Sequence, residues 1–459
     1  MAAFRISLLR WLSVLGLILC SMPTSGGSTT TLVCNSYSHC SNGDSYDAFT
    51  GDGHCNAYSY SIDYNARFYI RSLSTKCTDG SDYRFTILDL RNTYSISYMQ
   101  PNSIARGTKL RIRGTHSRFE MQSSSELLLS GDLLVESSSS VVTLEDVTVG
   151  DDFRLSNSAS ATLEEMIVGR DFILSNFASV TLGKVIVSRD LLLSYSSSVT
   201  VRGTTPVTVS SRRFSNQESV SGTYIDITGE LKLSCGSSIV LSGEGAEIRA
   251  GSLKLTTDGY SSCTSGSQIT ITGNSSITVD GTLTLEESTR ISADGTGFSN
   301  RNGPGSGTSN YQGGSHGGRG YGHYCTSSSA ISNYKCGYGL LKLPLEKGSG
   351  GYNGNGGGVI IIEAESIVNN GVIRSKGSDG SGAGAGGSII LRTDSYSGSG
   401  HVTAAGGRGT GSGGSGGGGR VALLGQGEQC TLPQDFEQQR FGASSPRSDQ
   451  GHSGFPGTV

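Results

Sequence analysis

Asp152, Asp171 and Asp190 fall at one phase of a repeating block. Carboxylates stacked in this way could hold a cation, or divide between proton donor and acceptor in cleaving a sugar polymer. They equally suit a tight corner, where an aspartate accepts hydrogen bonds from nearby backbone amides. Arg154, Arg170 and Arg189 stand beside them and would neutralise such a corner, so the turn role is preferred and the catalytic one kept as a weak candidate. Asp151-Asp152 is the best acidic pair. The loop 313–325, GGSHGGRGYGHYC, places His316 and Arg319 among glycines and could wrap an anion. It lacks the strand-then-helix setting of a phosphate cradle, and a flexible corner loop is expected instead.

The cysteines point to disulfides rather than metal. Cys34, Cys40, Cys55 and Cys77 crowd the first hundred residues, and three pairings among them stay open. Cys235 with Cys263, and Cys325 with Cys336, read as local pairs, which leaves Cys430 over. His39 and His54 lie near the first group, but its spacing fits no zinc knuckle, and no cofactor or metal is expected. Disulfides imply an oxidising compartment, in keeping with the N-terminus. Arg5 and Arg10 precede the apolar run from Trp11 to Cys20, followed by small polar residues, the form of a secretory signal over residues 1–26. An uncleaved anchor is the competing reading. No second apolar span is evident, so no transmembrane segment is expected in the mature chain. A formal net charge of -3 with 16% charged residues offers no basic surface for nucleic acid. Asn274-Ser-Ser276 is a candidate glycosylation site.

These residues sit on a repeat. Residues 131–149 (GDLLVESSSSVVTLEDVTV), 150–168 (GDDFRLSNSASATLEEMIV) and 169–187 (GRDFILSNFASVTLGKVIV) follow one another without a gap, and a fourth copy opens at Ser188 and drifts after residue 203. Stacked, they align Leu134, Phe153, Phe172 and Leu191 at one position, and Leu144, Leu163, Leu182 and Val201 at another. Leu155, Leu174 and Leu193, the column from Val142 to Val199, and Val149, Val168 and Val187 complete the expected inward set, with Glu136 the exception. Thr143, Thr162, Thr181 and Thr200 form an outward column. Apolar triplets alternate at period two, so each block holds three short strands and three corners, and the fold expected is an all-β parallel β-solenoid. An ice-binding role would want two Thr files, and one is visible.

The remaining chain divides around this array. Residues 27–100 are Cys- and Tyr-rich and read as an N-terminal cap that shields a sheet edge. Residues 101–290 form the solenoid, and 291–430 a glycine-rich solenoid with longer turns. There GGGVIII at 356–362 recurs 30 residues later as GGSIIL and 32 residues further on as GGRVAL. Residues 431–459 read as a polar, disordered tail.

The three-strand repeat resembles the solenoid stem of filamentous-haemagglutinin-type adhesins and the coil of pectin-lyase-like β-helices. Its glycine-rich part is similar to that of large secreted surface proteins. The resemblance covers residues 105–425 and implies a secreted structural or adhesive role, with extracellular glycans, matrix or surface proteins, or further copies of the chain as partners. It also implies an alternative, a polysaccharide lyase, hydrolase or epimerase, although the G-H-G and R-I-K companions of pectin-degrading relatives are not found in order. An enzyme would need one irregular acidic cleft, and an adhesin an even surface.

Overall fold

In a computed structural model the chain is a parallel β-solenoid. The structure describes the strands between residues 31 and 99, Pro101, residues 104–202, 223–258 without Glu244, Cys263, 265–322 without Asn310, 337–340, 343–425, and the strand Phe441–Gly442. The 19-residue block explains the geometry. Val141–Val149 alternates buried and outward residues, breaks its alternation at Glu145 and Asp146, and resumes. Ser160–Val168 and Ser179–Val187 break at the same place. Each long strand therefore turns a corner and serves two faces, sheet A before the break and sheet B after it. The short strands Phe153–Leu155, Phe172–Leu174 and Leu191–Leu193 make the third face, sheet C.

Successive coils stack in register, like residue over like residue. Thr143 pairs with Thr162, Thr162 with Thr181 and Thr181 with Thr200. Inside, sheet C runs Leu133, Phe153, Phe172, Leu191, Leu231, Leu253 and Leu283 in one column, all fully or almost fully buried. Phe153 and Phe172 stack with ring centroids 4.6 Å apart. Burying each such side chain contributes roughly 1.5–3 kcal/mol, which offsets the cost of ordering the backbone. Val147, Met166 and Val185 form a further inward column that the repeat alignment did not single out.

The first copy is displaced by one residue. Leu133, not Leu134, lies against Phe153, and Val135 lies against Leu155. Its B–C corner has the same three residues as the next but starts at Ser130, since Leu129 pairs with Val149, so Asp132 takes the place held by Asp152 in the next coil. An extra residue at the following corner restores the phase, with Val141 opposite Ser160. Glu136 is then an exposed corner residue rather than an exception in the core.

The coil also extends past its expected ends. Sheet A is one ladder through Ser45–Asp47, Arg67–Ile70, Ile96–Met99, Arg118–Met121, the 19-residue coils, Ser238–Ser242, Gln268–Thr272, Arg290–Ser292, Val372–Arg374, His401–Thr403 and Phe441–Gly442. At about 4.8 Å per step the rod is roughly 60 Å long. The stretch expected to cap the solenoid contributes strands to it, and the stretch expected to be a disordered tail carries a last rung at Phe441–Gly442. The boundary expected near 290 does not interrupt the ladder, because Arg290–Ser292 pairs directly with Val372–Arg374.

The glycine-rich runs leave successive coils at the A–B corner and lie on one another. Gly357 donates to the Ala385 carbonyl at 2.8 Å, Gly386 to Gly417 at 2.9 Å, and Gly417 to Gly314 at 2.9 Å. Instead of a flexible loop, residues 311–322 are part of this packed layer. Glycine is needed for close approach: a Cβ on Gly384 would overlap the carbonyl oxygen of Asn355. The continuous runs Val359–Ile362 and Ile389–Leu391 are buried on both sides, as a strand without alternation should be. On the outer side Val359, Ile361 and Ile390 meet Leu343 and Leu424.

The C–A corners impose backbone strain. Asn157 and Ser158, Asn176 and Phe177, and Tyr195 and Ser196 all have φ between 52° and 63°. Each pair occupies the centre of a turn closed by a bond such as Ala159 N to Ser156 O, 3.3 Å. At the next such corner stand Cys235 and Gly236, and Cys235 is disulfide-bonded to Cys263 with Cα atoms 5.3 Å apart. The left-handed conformation costs an L-residue about 1–2 kcal/mol, and Phe177 is 67% exposed with little packing in return. Phe177→Gly is therefore expected to raise the denaturation midpoint, by up to about 1 kcal/mol after glycine's own entropy is counted. A lowered midpoint in chemical denaturation would count against this account of the corner.

Candidate functional site

The aspartates of the B–C corner are brought together, in the order Asp132, Asp152, Asp171, Asp190. Each reaches the coil above. The Asp152 amide donates to Asp132 Oδ1 at 3.4 Å and the Asp171 amide to Asp152 Oδ1 at 3.4 Å. At the end of the row the Glu230 amide donates to Asp190 Oδ1 at 2.8 Å. Arginines close the other side. Arg154 donates to Asp152 Oδ2 at 2.7 Å, Arg170 lies 3.3 Å from Asp152 Oδ1, and Arg189 forks onto Asp171. Asp152 is 3% exposed and Asp171 6%. Burial alone would raise the Asp152 pKa, but the Arg154 hydrogen bond, the Asp171 amide and the Arg170 charge outweigh it and hold the carboxyl below its ordinary value. A carboxylate so engaged is a poor proton donor and has little left for a cation. Among the described residues, no group of three or more His, Cys, Asp or Glu is placed to hold a metal ion.

A second polar assembly lies on the outer face of sheet B, where the repeat breaks down. Lys184 sits opposite Glu165 with their charges 3.1 Å apart. Tyr224 sits opposite Glu247, and Asp226 opposite Arg249. Arg249 and Glu247 pair at 2.8 Å, and Thr278 Oγ1 approaches Glu247 at 3.4 Å. The Lys184 ammonium and the Arg249 guanidinium each lie 5.7 Å from the Tyr224 ring centre. Glu363 and Arg392 continue the same file, 3.9 Å apart. Burial works against the Arg249 charge, but Glu247 and Asp226 more than compensate and raise its pKa. Sequence reasoning missed this network because coils of unequal length assemble it. Its only local trace is a pair of outward-facing triplets, Tyr224-x-Asp226 and Glu247-x-Arg249.

Sheet A presents a different surface. Two residues before three of the four column threonines stands a serine: Ser160 before Thr162, Ser179 before Thr181, Ser198 before Thr200, with Val141 before Thr143. Both files point outward and stack in register. They are bordered by Arg118 and Glu120 on one side and by Gln268 and Arg290 on the other, with no charged residue in the files between. The second file is serine, so two Thr files are not formed. Among the described residues, the hydroxyls of Thr162, Thr181, Ser179 and Ser198 have no hydrogen-bond partner within the chain.

The glycine layer encloses a third cluster. His316 and Ser315 are fully buried beside Tyr338, with Arg420 on the last long strand. Arg319 stands away from a simple anion loop, since residues 313–320 are hydrogen-bonded into the layer. Asn274 is exposed at a corner, a position open to glycosylation. Of the other cysteines, Cys34 ends a strand whose side chains are not described, and Cys40, Cys55, Cys77, Cys325, Cys336 and Cys430 lie outside the described residues. Among the described residues no helix is long and apolar enough to cross a membrane. No family model, curated protein or solved structure matches the chain.

The corner geometry sets a pH dependence. Because the folded Asp152 carboxyl titrates below its ordinary value of 3.8, its contribution is present above that pH and lost as pH falls through the folded value. Asp152→Asn should lower stability at pH 7 by about 1–3 kcal/mol, removing the carboxylate that Arg154 bonds and leaving Arg170 with Asp151 alone, and should flatten the acid limb. An unchanged acid limb in a denaturation series from pH 7 to pH 2.5 would refute the structural role.

Proposed function

We propose that this chain is a secreted structural or adhesive protein whose solenoid displays a repetitive hydroxyl surface to extracellular glycans or matrix and surface proteins. The observation that carries the reading is the two-file Ser/Thr face of sheet A, uncharged and stacked over successive coils. Hydroxyls repeated about every 4.8 Å suit many weak, simultaneous contacts along a polymer. The corner aspartates support the same reading, because their oxygens serve the adjacent coil and its arginines. The Cys235–Cys263 disulfide and the N-terminal run from Arg5 to Cys20 support export through an oxidising compartment.

A second reading, a polysaccharide-active enzyme, is favoured by one observation. The Tyr224, Glu247 and Arg249 group brings acid, base and aromatic side chains together without repetition on the outer face of a sheet. Both readings meet in one experiment. The purified chain is expected to co-sediment with at least one polymer from a panel of insoluble polysaccharides, and Thr162→Lys with Thr181→Lys to abolish retention without altering stability. Retention that survives the lysines would reject the hydroxyl face. Release of soluble fragments that Glu247→Gln abolishes would favour the enzyme.

A further inference from the structure

We propose that residues 337–340 and 343–349 form a strap that acid releases from the outer face of sheet B, with His316 as the group that takes up the proton. The described part of this segment places Leu343 over Val359, Ile361 and Ile390. It is fastened at Tyr338 and Glu346, and the Tyr338 hydroxyl folds it back on itself. The Tyr338 amide donates to the His316 carbonyl at 2.9 Å, and its carbonyl accepts from Arg420 Nε and Nη2 at 3.1 and 2.8 Å. The Tyr338 hydroxyl donates to the Lys347 carbonyl at 2.5 Å and lies 2.8 Å from Ser349 Oγ. Further along, Ser388 Oγ donates to the Glu346 carbonyl at 2.7 Å. The His316 ring packs against the Tyr338 ring with centroids 4.8 Å apart.

His316 is held neutral by what surrounds it. Its Nδ1 lies 2.9 Å from the Gly386 carbonyl, which only accepts, so that nitrogen carries the hydrogen. Nε2 is then the basic nitrogen, buried and without a hydrogen-bond partner among the described residues. A proton arriving there creates an unsolvated donor in a layer of glycine backbone. The charged and titratable groups that bear on it are Tyr338 on the strap, whose ring packs against it, and Arg420 on Arg420–Leu424, with Glu346 beside those two; Arg319 and Tyr321 lie on its own loop, and the glycine run bearing Gly386 has none. Burial lowers the His316 pKa to about 4, Arg420 pushes the same way, and the Gly386 and Gly387 carbonyls oppose them. The folded value lies below the ordinary 6.5, so closure is complete above pH 6.5 and weakens as pH falls toward 4. Opening would add Val359, Ile361 and Ile390 to the already exposed Leu340 and Leu345, making an apolar patch that acid uncovers.

Hydrogen exchange of the full chain, read by mass spectrometry and corrected for intrinsic rates, tests this directly. Between pH 7.5 and pH 5 the opening equilibrium of peptides within 337–349 should rise about 25-fold, while peptides within 160–187 stay unchanged. In His316→Gln, which keeps a polar side chain that cannot charge, the rise should fall below about threefold. Equal protection of the wild-type strap at both pH values would overturn the proposal whether or not the variant folds. So would an undiminished response in His316→Gln, or loss of protection in the coil over the same step.

Discussion

A single turn of three short strands has no second layer to pack against, so its inner side chains are buried only when the next turn places the same kind of residue above each of them. This demand for axial register governs the rest of the molecule. It makes the columns from Leu133 to Leu283 and from Val142 to Val199 the core, and leaves backbone hydrogen bonds to run along the rod. It also decides where the chain can vary. Residues between Arg202 and Thr223, between Thr256 and Ser267, and between Ser292 and Val359 are added at corners, after which the ladder resumes. The Cys235–Cys263 bridge ties one such addition back to its corner. A disulfide closing a loop of 28 residues contributes about 3–4 kcal/mol by limiting the unfolded chain, which suits a coil whose neighbours depend on it.

The same demand sorts polar chemistry into two kinds. Polar groups at corners are bound into the stacking itself: Asp152 receives an amide from the adjacent coil and a guanidinium from Arg154, and Asn176 Nδ2 reaches Asn157 Oδ1 at 3.3 Å. Polar groups on the flat faces are left to solvent or to a partner. Sheet A offers an uncharged hydroxyl surface, and sheet B a mutually paired network around Glu247 and Arg249. The glycine layer adds a third environment, in which backbone packs on backbone and a single imidazole is enclosed.

How much of this was legible in the sequence follows from what a side-chain column can signal. The period, the three strands per coil, the inward columns at Leu144 and Leu155 and the outward threonines were all readable, because apolar residues recur at fixed spacing. The displacement of the first copy was not, because Leu133, Leu134 and Val135 are all apolar and either phase satisfies the alternation. Strands between residues 31 and 99 were hidden by coils of irregular length. The packing of the glycine runs was hidden for another reason: glycine has no side chain to mark a column, and its presence in a tight layer or a loose loop looks the same. The run Val359–Ile362 was read as a recurring strand, but nothing in it marked Leu343 as its cover. Of the candidate site, the role of Asp152, Asp171 and Asp190 at a neutralised corner was readable from the adjacent arginines. Asp132 was missed with the phase slip, and the sheet B network with the unequal coils.

The central claim is that one ladder continues across the long glycine-rich excursion, and cysteine cross-linking tests it most directly. Thr284 pairs with Val368 on the outside of sheet C, and Val368 in turn pairs with Ser397 one coil further on. Under mild oxidation, with products assigned by peptide mapping, Thr284→Cys with Val368→Cys should cross-link efficiently. Thr284→Cys with Ser397→Cys, two steps or about 10 Å apart, should not. Equal cross-linking of the two pairs, or cross-linking of the second alone, would contradict a continuous in-register coil.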